Sequence, residues 1–330
     1  MRFLVIGGTG RSGTTVMRRT LVRLPTTFSI DDELRVVSDH GGLVDLFNCL
    51  TRGYTHFGAS VAYDEVKTLI RESLVDQPTH RWLQARLIRK VFGRVLSPAR
   101  YSLLRSRMTR RAFDHLVQRL DDTLGVESYR GTWIGGAPYQ LRGTINIVPP
   151  VRDEDAARIG SKVTEMILEG LGYAPGGAER WVIDDSPYSV LRWREYLRYF
   201  PGSKFLLVVR DPLDTTSSYT HQVWAPEDPD QSLKILCHFY EALDCEAFAR
   251  HASSFVLRFE DIVSGEPEVV QGLSRWLECA PDQLRDILRQ TMSVTQAHLG
   301  RGRHDRRRSD VPASFIAHMS ALGIHLDVAR

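Results

Sequence analysis

Short, largely apolar runs punctuate the chain at Arg2–Ile6, Trp181–Asp184, Lys204–Val209 and Phe255–Phe259. They carry Leu, Ile, Val and Phe without polar alternation. A strand buried on both faces has this pattern, because neither face meets water. Each run leads through a loop into a segment whose apolar residues recur three and four apart: Thr14–Leu24, Val190–Phe200, Leu213–Val223 and Glu268–Leu277. That spacing predicts helices. Strands alternating with helices predict an α/β fold of three layers, with a central parallel sheet covered on both faces. Ligands of such sheets sit beyond the carboxyl ends of the strands.

Between 45 and 178 the strand signals vanish. This stretch is expected to be a helical or irregular insertion over the active face, forming the acceptor site or a lid within a single domain spanning 1–330. Residues 81–111 hold ten Arg or Lys and no acid. Leu83, Leu87, Val91 and Val95 form one apolar stripe there, so the expectation is a lid helix with a basic outer face. The same face suits an anionic acceptor or peripheral contact with an anionic membrane. Residues 129–155 are rich in glycine, proline and aromatics, which suits a shaped loop.

Composition narrows the classes. Apolar residues make up 42% and charged residues 25% of the 330, an ordinary globular balance. A net charge of +3 argues against a dedicated nucleic-acid binder. Cys49, Cys237, Cys245 and Cys279 form no C-x-x-C pair, so a reduced, cytoplasmic chain is expected. No His/Cys cluster has zinc spacing, and no metal site is expected. The opening FLVI runs straight into a glycine loop and reads as a buried strand, so no signal peptide is expected. No later apolar run approaches the ~20 residues of a membrane span.

The chemistry begins at VIGGTGRSGTT, residues 5–15. Gly8 and Gly13 have the spacing of a Walker-type loop, G-x-x-x-x-G-K-[ST], but Thr14 stands where the lysine belongs. Backbone N–H groups at a glycine turn opening onto a helix cradle an anion, helped by the helix dipole. Thr14 and Thr15 add hydroxyls, and Arg11 adds a planar, permanently charged fork. Without the lysine and without a clear Walker-B acid, a Mg-dependent triphosphate is a poor fit. A single phosphate carrying a transferable group fits better, on a P-loop-type scaffold. A kinase-like phosphotransferase and a non-catalytic nucleotide-binding protein remain the alternatives.

GGTGRSGTTVMRRTL resembles the 5′-phosphosulfate loop of sulfotransferases that use 3′-phosphoadenosine 5′-phosphosulfate (PAPS). The bacterial enzymes similar to tyrosylprotein sulfotransferases are nearest in style. KFLLVVRDPLDTTSSY, 204–219, resembles the family's strand, loop and helix around the 3′-phosphate. There the family uses an arginine at the strand end and a serine eight residues on; Arg210 and Ser218 stand at that spacing. SFVLRFEDIV resembles a later strand with an aromatic-Glu-Asp ending, and GRGRHDRRR at 300–308 resembles a basic loop that closes over the 3′-phosphate. The resemblance implies a bacterial, cytoplasmic enzyme that moves a sulfuryl group from PAPS to an acceptor hydroxyl by metal-free in-line displacement. The product would be 3′,5′-adenosine bisphosphate (PAP), and the acceptor a sugar, lipid-linked compound, secondary metabolite or tyrosine. It assigns Arg11, Ser12, Gly13, Thr14 and Thr15 to the phosphosulfate, and Arg210, Ser218, Arg301 and Arg303 to the 3′-phosphate.

SIDDELRVVSDHGG, 29–42, resembles the Glu-Glu-x-Arg segment that carries the catalytic base in tyrosylprotein sulfotransferases. This implies Glu33 as base and Arg35 as its partner, with Asp32 left open by one inserted residue and His40 as a further candidate. One departure stands out. After RWVID the family commonly has a lysine that neutralises the transferring group, whereas this chain has Asp185. Either Arg11 carries that role alone, another cation such as Arg192 or Arg35 supplies it, or Asp185 itself serves as a base.

Overall fold

The computed structural model describes residues 2–30, 33–75, 108–134, 141–177, 180–222, 224–292 and 311–324. Two compact units share the chain. One comprises Ile30–Gly177 with Arg194–Pro201; the other comprises Arg2–Ser29, Ala178–Trp193 and Gly202–Arg330.

The second unit holds a five-stranded sheet. Its strands are β1 (Phe3–Gly7), β2 (Thr27–Phe28), β5 (Trp181–Asp184), β6 (Lys204–Val209) and β7 (Ser254–Arg258), in the order β2-β5-β1-β6-β7. Every neighbouring pair is parallel, with Leu4 beside Ile183, Ile6 beside Leu206 and Leu207 beside Val256. One face presents Leu4, Ile6, Ile183, Leu206, Val208 and Leu257 to a core completed by Met17 and Leu21 of α1 (Thr14–Leu21) and by Leu273, Leu284 and Leu288 of two later helices. Phe205 presents its ring to the opposite side, edge-on to Trp193. Burial on both faces explains why these strands read as continuous apolar runs. Strand order reverses at β1: the chain goes first to β2 on one side, then by way of β5 to β6 on the other. Such a switch point leaves a crevice beyond the strand ends, where the glycine loop lies.

The first unit is mainly helical. His56–Leu74 starts at Thr55, whose hydroxyl accepts from Gly58 N at 3.1 Å, and Arg110–Leu124 starts at Thr109, which accepts from Ala112 N at 3.2 Å. Both are helix caps. Tyr63 of the first donates to Asp121 of the second at 2.6 Å.

Against the expectation of no strands between 45 and 178, this unit carries two. β3 (Glu127–Trp133) and β4 (Leu141–Ile147) form an antiparallel hairpin. Its apolar side is interrupted by Gly131 opposite Gly143, while Tyr129 and Trp133 stay about two-fifths exposed. Two missing side chains and partial burial weaken the alternation that announces a strand. Trp133 stacks on Phe57 at 4.0 Å, and Tyr129 shares a 3.0 Å hydrogen bond with His56. Of the basic stretch 81–111, residues 81–107 lie outside the described residues; Arg110 and Arg111 open a helix and are exposed. Among the described residues, no helix is long and apolar enough to cross a membrane, and no His/Cys/Asp/Glu group could hold a metal.

Candidate active site

The loop after β1 turns through three positive φ angles, at Gly10 (76°), Arg11 (55°) and Gly13 (111°). A Cβ on Gly13 would fall 2.3 Å from Phe259 Cδ2, and one on Gly8 would fall 2.3 Å from Ser12 Oγ. Glycine is therefore required twice, once for φ and contact together and once for contact alone. Gly8 N donates to Pro187 O at 2.9 Å, and Tyr219 donates its hydroxyl proton to the Thr9 carbonyl, so the turn is held from both sides.

Gly13 is the N-cap of α1 and offers no side chain to its first-turn amides. Those N–H groups have no intrahelical acceptor, which leaves the helix start suited to an anion. Ser12 Oγ is fully buried inside the turn without a hydrogen-bond partner. A buried hydroxyl in that condition is costly, whereas Arg11, Thr14 and Thr15 line open space beside the free amides. The donor set thus fits a phosphate-type group.

The loop after β6 supplies the opposite wall. Asp211 caps the helix Pro212–Tyr219, accepting from Leu213 N at 2.9 Å, with Pro212 in its first turn. Arg210 lies just before this cap. Its Nη1 donates to the Arg11 carbonyl at 3.1 Å, and its Nη2 is 3.7 Å from Asp214 Oδ2. Arg11 Nε donates to Ser218 Oγ at 3.0 Å. A cavity of about 370 Å³ is lined jointly by Arg11, Gly13, Thr14 and Thr15 from one loop and by Arg210 and Ser218 from the other. The structure therefore gathers these predicted residues around one space.

Glu260 ties a third strand end to the site, accepting from Asp211 N at 2.8 Å while Arg258 Nε lies 3.3 Å from its other oxygen. Burial raises its carboxyl above the usual glutamate range, against the lowering effect of the Asp211 amide and Arg258.

Asp185 has a definite partner. Arg18 Nε approaches Asp185 Oδ2 to 2.9 Å, off the N–H axis, and the side chains are only 9% and 3% exposed. The acid at the family's lysine position is thus buried against a cation from α1.

Sequence reasoning also passed over Asp214, His221, Gln222 and Phe259, which line the same cavity. Asp214, Ser218 and His221 recur four and three apart, the spacing of one helix face, and this signal was available.

Glu33 and Arg35 belong to the helical unit. Arg35 Nε donates to Glu33 Oε2 at 3.3 Å and pairs with Asp39 at the same distance. Burial raises the Asp39 carboxyl, with Arg35 acting in opposition. His40 is almost wholly exposed, 3.5 Å from the Asp45 carboxylate. Asp32, Arg301 and Arg303 lie outside the described residues.

A parallel α/β unit whose glycine loop and strand-end arginine border one cavity defines a P-loop-type fold. Within that class the chain belongs to the sulfotransferase family, whose pattern matches residues 4–283. Among solved structures it is similar to a sulfotransferase domain from the curacin biosynthetic pathway, at 15% identity over 99% of each chain, with a TM-score of 0.50. It also matches a sulfotransferase domain from the Synechococcus PCC 7002 olefin synthase, at 15% identity over 99% of this chain and 96% of that one, with a TM-score of 0.48. Sulfotransferase STF9 from Mycobacterium avium matches at 15% identity over 99% and 78%, with a TM-score of 0.45. No curated protein matches the sequence.

Proposed function

We propose that this sulfotransferase takes its sulfuryl group from PAPS and passes it to an acceptor hydroxyl by in-line displacement. The observation that supports this reading most is the cavity shared by the loop after β1 and the helix after β6. A ligand with a phosphate-type group at each end needs two anion sites on one space. Arg11, Ser12, Gly13, Thr14 and Thr15 take the 5′-phosphosulfate in this reading, and Arg210 and Ser218 take the 3′-phosphate, with Arg301 and Arg303 assisting.

The step balances simply. The acceptor oxygen forms a bond to sulfur as the bond from sulfur to the 5′-phosphate oxygen breaks, and that oxygen leaves with the electron pair. Arg11 and the first-turn amides of α1 stabilise the charge that develops there. Glu33 takes the acceptor's proton, and Arg35 holds its carboxylate in place. The segment 45–178 contributes to acceptor choice. Permanent positive charge on arginine supplies what a Mg²⁺ ion supplies in triphosphate chemistry, so no metal is required.

Titration calorimetry with PAP against ATP plus Mg²⁺ tests the donor assignment. PAP alone should bind tightly and the triphosphate weakly; the reverse order would defeat the reading. Transfer of labelled sulfate from PAPS to an acceptor panel, with products identified by mass spectrometry, tests the reaction.

A further inference from the structure

Two large aromatics of the sheet-bearing unit stay open to solvent beside the glycine loop. Trp224 is 51% exposed and Tyr188 is 47% exposed. Neither is a loose surface ring. Trp224 packs edge-on against Tyr219, with ring centres 5.0 Å apart and planes at 71°. Tyr188 packs edge-on against Phe239 at 5.7 Å and 67°. Tyr219 gives its hydroxyl proton to the Thr9 carbonyl. Trp224 is therefore anchored to the loop that carries Arg11 through the fully buried Tyr219, and Tyr188 through its chain neighbour Pro187, which meets Gly8.

Their position relative to the loop is specific. A Cβ built on Gly10 would lie 3.7 Å from Trp224 Cη2 and 3.6 Å from the Tyr219 hydroxyl. Pro187, the neighbour of Tyr188, accepts the Gly8 amide. The aromatic pair thus adjoins residues 8–10, ahead of Arg11. The cavity assigned to the donor is lined by Arg11, by residues from Gly13 onward, and by the helix after β6; it includes neither Trp224 nor Tyr188. Arg11 stands at the junction. An in-line displacement brings the acceptor in from the side opposite the leaving phosphate. A surface that meets the loop from outside the donor cavity satisfies that demand.

We propose that Trp224 and Tyr188 form an aromatic shelf that binds the acceptor, and that the acceptor carries its hydroxyl on a planar aromatic ring. This rests on the sulfotransferase reading. Rings held edge-on from behind leave their other surfaces free, and a planar ligand gains offset stacking there in addition to the burial of its own area. A flexible sugar or an aliphatic alcohol gains less from rigid flat walls. Their cost in exposed apolar area next to the reacting loop is then matched by what they bind.

The test uses the full chain, with 2-naphthol as the planar probe and cyclohexanol as the aliphatic one, each titrated by calorimetry with and without saturating PAP. Naphthol should bind and cyclohexanol should bind far more weakly. Trp224→Ala and Tyr188→Ala should each weaken naphthol about tenfold, while Trp224→Phe stays within about threefold of the wild type. PAP affinity should be unchanged in all three, which also shows that they fold. Equal binding of the two alcohols, or naphthol affinity that both alanine variants retain, overturns the shelf. A wild-type chain that binds naphthol but not PAP sinks the donor reading and keeps the shelf. One that binds PAP but not naphthol does the opposite.

Discussion

Arg11 Nε donates to Ser218 Oγ at 3.0 Å, joining residues 207 positions apart. One lies in the loop after β1, the other in the helix after β6. In the proposed reading they serve opposite ends of the same donor, so the bond couples the two anion sites. The Arg210 contact with the Arg11 carbonyl makes a second link between the same loops.

Removing Arg11 should act on both ends. A charge-assisted hydrogen bond contributes about 1.5–3 kcal/mol. Arg11→Ala should therefore weaken PAP by about 10–150-fold and nearly abolish transfer, with the fold intact by circular dichroism. Wild-type turnover in that variant would remove Arg11 from the site.

Arg210 and Ser218 should decide whether a 3′-phosphate is recognised. In the double variant Arg210→Ala/Ser218→Ala, the preference for PAP over adenosine 5′-monophosphate should collapse. Calorimetry with both nucleotides reads this directly, and an unchanged ratio would defeat the assignment.

Glu33→Gln should lower kcat by ~10²–10⁴-fold, the usual range for losing a general base, and leave PAP affinity alone. The pair with Arg35 at 3.3 Å gives an independent handle: Arg35→Met should also reduce kcat, by freeing the carboxylate it holds. A kcat close to wild type in Glu33→Gln would move the role to another group.

The Arg18–Asp185 pair should show the asymmetry of buried ions. Arg18→Met removes a buried cation from beside the Asp185 carboxylate and should cost about 3–5 kcal/mol of stability. Replacing both, as Arg18→Met/Asp185→Leu, should recover most of that loss, because the carboxylate is removed together with the cation beside it. Chemical denaturation of the three proteins compares them. A double variant as unstable as Arg18→Met would show that the pair does more than neutralise itself.

Glu260 sets a pH dependence of definite sign. Burial raises its folded pKa above the unfolded value, so the native state holds the proton more tightly. Its stabilising contribution is fully present below the ordinary glutamate pKa of about 4.3 and is lost as pH rises through the elevated folded value. Glu260→Gln should remove that slope. Relative to the wild type, the variant's Tm should therefore rise as pH increases from about 4 toward 7. A difference in Tm that stays flat with pH would show that Glu260 does not titrate in this window.

The sequence by itself determined the parallel sheet and the glycine loop. FLVI, WVID and KFLLVV are buried on both faces, so burial is written into consecutive residues. Gly8, Gly13 and the Arg210–Ser218 spacing are local, since a turn and a helix end need only their own residues. Asp211 and Pro212 announced their cap for the same reason. Tertiary structure decided the rest. The β3–β4 hairpin stayed hidden because its strands are half-solvated and Gly131 faces Gly143. The partner of Asp185 could not be read, because Arg18 meets it only once α1 packs beside β5, and the chain between them carries no spacing rule. The same holds for Trp224 and Tyr188: each is an unremarkable aromatic in sequence, and only Tyr219 behind the one and the Pro187–Gly8 bond beside the other set them next to the loop. Periodicity records which side of an element is buried, and it is silent on which distant side chain does the burying.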